Sequence, residues 1–251
     1  MNSEAPETDR EQGFLSHLVE LRTRLLRAVL AVLVVLFALV PFANRLYAVV
    51  AKPLLKALPE GTQMVAIEVT SPFFAPLKLA FFVALLVAMP VVIYQLWAFV
   101  APGLYRHEKR LAMPLLVSAT LLFYAGCAFA YFLVMPVVFA FLTAIAPEGV
   151  AMMTDISRYL DFVLVMFLAF GVCFEVPVAV VILAAMGWVS IAQLTAARRY
   201  VIVGAFVVAA IVTPPDVVSQ LMLAIPMALL YEVGIVAARA VARPRRDGDP
   251  V

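Results

Sequence analysis

Charged side chains are scarce in this chain: only 14% of its 251 residues are Asp, Glu, Lys or Arg, whereas 66% are hydrophobic. The mean hydropathy of +1.07 lies far above that of soluble domains. This composition excludes an ordinary soluble globular protein and indicates a polytopic membrane protein. The small net charge of +2 does not favour a nucleic-acid partner, and we expect none.

Residues that often carry catalysis or bind metals are also few. Cys127 and Cys173 are the two cysteines, and both fall within apolar segments, so we expect packing residues and neither a disulfide nor a metal or redox pair. The two histidines, His17 and His107, are far apart and lack HExxH spacing, and the chain has no Gly-rich phosphate loop. We therefore expect no enzyme, no metal and no cofactor.

Long hydrophobic segments, by contrast, fill most of the chain and predict six transmembrane helices in an all-α fold. We place them at 23–43, 74–98, 112–142, 159–187, 199–213 and 217–237. The stretch that begins ANRLYAVVAK is interpreted as the connection between the first two. The last two spans are short, which predicts local membrane thinning or a recessed hairpin at TPPD. Three regions follow from this division: a flexible N-terminus at 1–13, the transmembrane domain at 14–237 and a basic tail at 238–251.

Lysine and arginine are divided unevenly between the two sides of the predicted bundle, with 13 on the side of the termini and 5 on the other. Trp97 and Trp188 fall at the ends of spans on the basic side, where amphipathic rings favour the headgroup layer. The polar N-terminus lacks the features of a cleaved signal peptide, so we expect the first span to be retained. The pattern predicts a multi-pass protein with both termini in the cytoplasm.

Two of the acidic residues on the basic side, Glu20 and Glu108, are candidate functional groups. In FLSHLVELRTRLLRAV, Glu20 is positioned either to pair with Arg24 one turn later or to face a cationic ligand, and the residues leave both interpretations open. In the loop FVAPGLYRHEKRLAMP, Glu108 is the only acid within a basic cluster, and charge compensation in a solvated loop is the simpler interpretation.

Two further polar features lie in apolar surroundings. In TPPD, Pro214 and Pro215 fix a rigid turn, Asp216 is a candidate cap of the next helix, and Gln220 can turn a polar face toward another helix. Glu175, in FGVCFEVPVAV, lies in the middle of the fourth span. An acid at this depth is expensive, usually faces a bundle interior or a water-filled cavity, and is often functional. The alternative is a protonated acid that hydrogen-bonds a neighbouring helix for packing.

Several long segments together resemble the TatC family, the multispanning receptor of the bacterial twin-arginine protein translocase. They are HLVELRTRLL, SPFFAPLKLAFF, YQLWAFVAPGLYRHEKR, PLLVSATLLFYAGCAFAYF, FGVCFEVPVAV and GAFVVAAIVTPPDVVSQLMLAIPM, in residues 14 to about 237. The resemblance implies six helices in a cupped arrangement with short fifth and sixth helices, no enzymatic turnover, and a location in the bacterial inner membrane.

The resemblance also implies roles for single residues. Paired arginines of signal peptides would be held by Glu20 and Glu108, with Arg22, Phe99 and Leu104 contributing to their recognition. Glu175 would be a polar anchor for a TatA- or TatB-like helix or for the signal peptide, and the outer hairpin would comprise Pro214, Pro215, Asp216 and Gln220. The expected partners are twin-arginine signal peptides of folded precursors, TatA, TatB, further copies of the chain and membrane lipids. The expected function is export driven by the proton motive force.

Two other classes of function remain as alternatives to a receptor. A proton-coupled transporter would use Glu175 as a relay, but such proteins normally show inverted repeats and several polar groups around a midplane site. An intramembrane hydrolase would need a nucleophile and a base at the same depth, and the sequence offers no such pair.

Overall fold

The computed structural model describes residues 5–57, 64–100, 109–145, 153–213 and 216–241, except for the side chains of 5–18, 56–57, 97, 100, 109–112 and 241. These ranges contain nine α-helices: α1 (Ala5–Leu39), α2 (Ala43–Ala57), α3 (Ser71–Val100), α4 (Lys109–Phe129), α5 (Met135–Ala144), α6 (Ile156–Phe174), α7 (Val176–Ala185), α8 (Ile191–Val212) and α9 (Val217–Val241). A short 3-10 turn joins α1 to α2, and a π-helical turn at Ala130–Val134 joins α4 to α5.

Six of the resulting helical segments are long and apolar enough to cross a membrane, which confirms the predicted number of spans and the all-α class. They are Val19–Leu55, Ser71–Leu96, Met113–Ala144, Ile156–Ala185, Ile191–Val212 and Val217–Ala240. The fifth and sixth are the two shortest, as expected. The fifth nevertheless begins at Ile191 and not at 199, because Ser190 and Gln193 form a reciprocal capping box that starts the helix earlier.

The interpretation of the stretch after Ala43 as a mere connection was wrong, because the structure has helix α2 there. One face of α2 buries Val50, Ala51 and Leu54 against its neighbours, while Arg45 and Lys52 are exposed. These basic residues interrupt the hydrophobic run, so a search for apolar segments ends the first span too early. The helix packs on α3 and α5 and covers one end of the bundle, which we call the α2 end.

The helices pack in a cupped arrangement. α1 packs on α3, α4 packs on α6, and α7 packs on α9, which in turn packs along α8. The main core lies where α3, α6 and the π-helical turn meet, and its fully buried side chains include Leu79, Met135, Leu160 and Phe170. The outer surface is apolar, as expected for helices in lipid.

A proline within α3 is compensated by a tyrosine from the next span. Pro90 has no N–H, so the carbonyl of Leu86 loses its intrahelical donor. The hydroxyl of Tyr124, on α4, donates to this carbonyl over 2.8 Å. The freed backbone group is therefore satisfied within the protein, as an apolar membrane requires.

The same arrangement occurs in α2, where Pro53 leaves the carbonyl of Val49 without its helical donor. The hydroxyl of Tyr131, in the π-helical turn, donates to Val49 over 2.9 Å. Tyr159 on α6 donates to the adjacent carbonyl of Val50 over 2.7 Å. Two tyrosines thus attach α2 to the third and fourth spans.

The α2 end is closed further by backbone pairing between the segments before α3 and α6. Val65 donates to Thr154 and its carbonyl accepts from Ile156, both over 3.0 Å. Asp155 caps α6 by accepting from the N–H of Arg158 over 3.1 Å, and its other oxygen accepts from Ile67 over 3.2 Å. These contacts hold the two segments in register at this end. The opposite end, where α1 begins and α3 ends, is called the basic end below.

Candidate functional site

Glu20 lies on α1 near the basic end, half-buried, and its carboxylate is engaged by Arg24. The Nε of Arg24 donates to Glu20 Oε1 over 2.9 Å, and Nη2 of the same arginine contacts the same oxygen. This is the intrahelical pairing that the sequence offered as one of two interpretations. Oε2 of Glu20 has no hydrogen bond among the described residues, and Arg22 is exposed on another face of the helix. The pair leaves one carboxylate oxygen open to a further donor.

The register of α1 on α3 brings Glu20 and Phe99 to the same end of the bundle. Val32 packs with Ala84 and Ala88. One turn later, Leu36 lines a cavity together with Phe81, so the two helices run antiparallel. At 1.5 Å per residue, Glu20 lies about 18 Å from Val32, and Phe99 lies about 16 Å beyond Ala88 in the same direction.

The first two spans therefore pack as neighbours. Phe99 is half-buried near the end of α3. Leu104 and Glu108 lie outside the described residues, so their convergence with Glu20 stays a prediction.

Glu175 interrupts the fourth span. α6 ends at Phe174, α7 begins at Val176, and Pro177 occupies the first turn of α7. The N–H of Glu175 donates to Val172 over 3.0 Å, which tightens the turn between the two helices. Its side chain is half-buried, and Oε1 is buried without a hydrogen-bond partner among the described residues. The alternative that this acid bonds a neighbouring helix for packing gains no support from this geometry.

Close helix contacts flank Glu175 on both sides. A Cβ on Gly126 of α4 would lie 2.4 Å from the carbonyl oxygen of Phe170, and a Cβ on Gly234 of α9 would lie 2.9 Å from Cα of Pro177. Real Cβ atoms do not approach backbone so closely, so both positions require glycine for the observed packing. The two contacts fix the backbone before and after the acid, and its carboxyl group is therefore presented from a rigid turn.

Asp216 caps α9 as predicted, because Oδ1 accepts from the N–H of Ser219 over 2.7 Å. The other oxygen, Oδ2, is buried without a partner in the described part of the chain. One turn later, the side-chain amide of Gln220 donates to the carbonyl of Phe206 on α8 over 3.3 Å, the contact to another helix that the sequence suggested. Pro214 and Pro215 lie outside the described residues.

Sequence reasoning missed two ion pairs between spans. Lys78 of α3 pairs with Asp161 of α6 near the α2 end. Arg198 of α8 pairs with Glu232 of α9 near the basic end, with 2.7 Å between Nη2 and Oε2. The available signal was Glu232 itself, an acid inside the predicted sixth span that needs a partner or a polar surface.

The two cysteines do not pair: Cys173 is buried and Cys127 is half-buried, and both are free thiols. Among the described residues, His, Cys, Asp and Glu form no group of three able to hold a metal ion. The polar groups described above are thus hydrogen-bond and ion-pair sites on a helical scaffold.

Fold and site define a multi-pass helical membrane protein with charged ends and one acid at a break in the fourth span. Comparison with known proteins identifies the family: the family model described as Sec-independent protein translocase protein (TatC) matches residues 16–226. The chain is 57% identical over 230 residues to the TatC protein of Azotobacter chroococcum mcd 1, a match covering 92% of this chain and 90% of the relative.

More distant relatives and a solved structure agree. The identity is 56% over 228 residues to TatC of Escherichia coli strain K12, covering 91% and 88% of the two chains. It is 37% over 233 residues to TatC of Aquifex aeolicus strain VF5, covering 92% and 96%. A crystal structure of the twin-arginine translocase receptor TatC superposes with a TM-score of 0.79 at 38% identity, covering 90% of this chain and all of that one.

The chain therefore belongs to the TatC family of Sec-independent protein translocase proteins. It is a protein-transport component of the inner membrane and not an enzyme. The sequence-based recognition is confirmed, and the alternatives of a solute transporter and an intramembrane hydrolase are set aside.

Proposed function

We propose that this chain is the core receptor subunit of a twin-arginine translocase. It binds twin-arginine signal peptides of folded precursors at its basic end and supports their export with TatA- and TatB-type partners, driven by the proton motive force. The observation that carries the proposal is the antiparallel packing of α1 on α3, since it puts Glu20 and Phe99 at one end. The similarity to receptor structures supports the same conclusion.

Recognition of paired arginines rests on two carboxylates. Glu20 offers Oε2, while Arg24 holds Oε1 and thereby orients the group. Glu108, in the loop that follows α3, supplies the second carboxylate, and Phe99 and Leu104 shelter the contacts from water. Guanidinium groups prefer such planar, charge-assisted hydrogen bonds, and exclusion of water strengthens them. Arg22, exposed beside Glu20, contributes to the same surface.

Orientation and organisation form part of the proposal. The basic end faces the cytoplasm with both termini, since its side of the bundle carries 13 of the 18 lysine and arginine residues. Residues 14–237 form the transmembrane domain, between a cytoplasmic N-terminus at 1–13 and a basic tail at 238–251. The α2 end then faces the periplasm.

Glu175 and the outer hairpin serve partner segments. The carboxyl oxygen Oε1 of Glu175, which has no partner among the residues that the structure describes, is available to a polar side chain of a TatA- or TatB-type helix or to the signal peptide. Asp216 and Gln220, together with Pro214 and Pro215, form the hairpin that shapes the outer side of the last two spans. Further copies of the chain complete the receptor complex within the lipid bilayer.

The test compares two precursors that differ only at the paired arginines. Glu108→Ala should weaken binding of the twin-arginine precursor by roughly ten- to a hundredfold, because a charge-assisted hydrogen bond is worth about 1.5–3 kcal/mol. It should affect the Lys-Lys precursor much less, and Glu20→Ala should behave likewise. Binding is measured on the full chain in nanodiscs with purified precursor.

Glu68→Ala is the matched control, since Glu68 is an exposed acid at the α2 end and should leave both affinities unchanged. Equal losses of affinity for the two precursors would mean that Glu20 and Glu108 stabilise the structure of the basic end and do not bind the paired arginines.

A further inference from the structure

A cavity of about 760 Å³ opens between α1, α3 and α6 at the α2 end, and neither Glu175 nor Asp216 or Gln220 is among its lining residues. One wall is apolar and is formed by Leu36, Phe74, Leu77 and Phe81. The side chains of Phe74 and Phe81 are 57% and 50% exposed, so this wall is continuous with the lipid-facing surface. The cavity is thus an open groove that a membrane component reaches from the side.

The other wall of the groove is charged. Lys78 and Asp161 neutralise one another in an ion pair. Asp155, only 9% exposed, accepts backbone N–H groups on both of its oxygens and is thereby satisfied. The remaining charges are Arg158 and Glu68, both exposed, and neither makes an ion pair within the described residues. The groove therefore offers one free positive and one free negative group.

The depth of these groups matches the boundary of a membrane. Arg158 lies in the first turn of α6, and Lys78 lies about 10 Å along α3 from its start at Ser71. Phe81 lies one turn deeper on the same side of α3. Charged groups at the level of headgroups, with an apolar wall leading toward the hydrocarbon core, match the two parts of an amphiphile.

We propose that this groove binds one phospholipid with a zwitterionic headgroup that carries a primary amine. Arg158 holds the phosphate, because its planar guanidinium matches two phosphate oxygens, and Glu68 accepts from the ammonium group. One acyl chain lies along Leu36, Phe74 and Phe81. An anionic headgroup without an amine would satisfy Arg158 but leave the Glu68 carboxylate of the same groove unpaired.

Native mass spectrometry of the full chain in detergent micelles tests the proposal with three added lipids: dioleoylphosphatidylethanolamine, dioleoylphosphatidylcholine and dioleoylphosphatidylglycerol. The first phosphatidylethanolamine molecule to bind should bind more tightly than the first molecule of phosphatidylcholine or of phosphatidylglycerol. Arg158→Gln should weaken its binding by about tenfold, the usual value for a lost charge-assisted contact. Glu68→Gln should abolish the preference over phosphatidylglycerol while leaving phosphatidylglycerol binding itself unchanged.

Matched controls exist on the same surface. Arg45 is an exposed arginine of α2 that does not line the groove, so Arg45→Gln should leave all three affinities unchanged. Phe81→Ala should weaken phosphatidylethanolamine binding, whereas Phe37→Ala, at a lipid-facing residue of α1 outside the groove, should not. All five altered side chains are exposed, so loss of folding is not the expected cause.

Three results would overturn the proposal. Tightest binding of phosphatidylglycerol would make the groove a site for anionic lipids. Equal losses for Arg45→Gln and Arg158→Gln would reduce the effect to general surface charge. Phe81 can also be replaced by a photo-crosslinking phenylalanine analogue. If this analogue captures a polypeptide and no lipid in native membranes, the groove is a protein-docking site.

Discussion

The hydroxyl of Tyr124 lies 2.8 Å from the carbonyl oxygen of Leu86, the backbone group that Pro90 leaves without its helical donor. In the same way, the hydroxyl of Tyr131 donates over 2.9 Å to the carbonyl of Val49, which Pro53 leaves without its helical donor. In both cases a proline weakens its own helix and the neighbouring span supplies the missing donor. Each freed carbonyl thus accepts a hydrogen bond from another helix. One of these bonds attaches α3 to α4, and the other attaches α2 to the third span.

Replacing Tyr124 by phenylalanine should lower the free energy of unfolding by about 0.6–1.7 kcal/mol, the range of side-chain hydrogen bonds measured in membranes. In a Pro90→Ala background the same change should have little effect, because the backbone N–H that alanine introduces at this position donates to Leu86 within the helix. Unfolding of the four proteins in detergent gives the coupling directly. Tyr94→Phe is the control, since this exposed tyrosine makes no hydrogen bond within the described residues. Additive effects of the two changes would show that Tyr124 does not serve the freed carbonyl.

Gly234 and Gly204 provide a matched pair in the last two spans. A Cβ at Gly234 would lie 2.9 Å from Cα of Pro177, whereas a Cβ at Gly204 would meet nothing within 4 Å. Gly234→Ala should therefore destabilise the protein by about 1–3 kcal/mol, since α9 must move away from α7. Gly204→Ala should leave stability unchanged or raise it slightly, because alanine favours the helix. Thermal unfolding of both variants decides the point, and equal stabilities would contradict the close approach at Pro177.

Hydrophobic runs and their punctuation were sufficient to predict the six spans, because each span must cover the same hydrocarbon thickness. They were not sufficient for α2. Its buried residues Val50, Ala51 and Leu54 recur at helical spacing, but Arg45 and Lys52 break the run. A search by periodicity, in place of mean hydropathy, would have found this helix.

The break at Glu175 was predictable from the acid and Pro177 alone, and the cap at Asp216 from its place before an apolar run. Asp155 carries the same signal before α6 and was overlooked. The ion pair between Lys78 and Asp161 was not predictable, because each residue lies at the edge of a different span. Only the packing of α3 beside α6 selects the partner, and one sequence does not contain that information.

The proposed topology is testable by cysteine accessibility in intact cells, after replacement of Cys127 and Cys173. Single cysteines near Glu60, Glu148 and Asp216 should react with a membrane-impermeant maleimide from the periplasm, whereas positions near Lys109, Gln193 and Arg245 should react only after the cytoplasmic side is exposed. The expectation follows from the 13 to 5 division of basic residues. The reverse labelling pattern would refute the orientation and, with it, the assignment of the basic end to signal-peptide binding.

Substitutions of Glu175 should change export without lowering the free energy of unfolding, and they therefore separate a role in function from a role in packing. Oε1 is buried without a hydrogen-bond partner in the described part of the chain, so Glu175→Leu should leave the free energy of unfolding unchanged or raise it by about 1 kcal/mol, because it removes an unsatisfied polar group. The same change should abolish or strongly reduce export of a folded twin-arginine precursor into inverted membrane vesicles. Glu175→Gln keeps hydrogen-bonding capacity and should retain more export than leucine. A leucine variant that exports like the unaltered protein would show that the acid is dispensable. If the glutamine variant assembles but does not export, export requires the proton or the charge of the Glu175 carboxyl group. Glu175 would then act by exchanging a proton and not by hydrogen bonding alone.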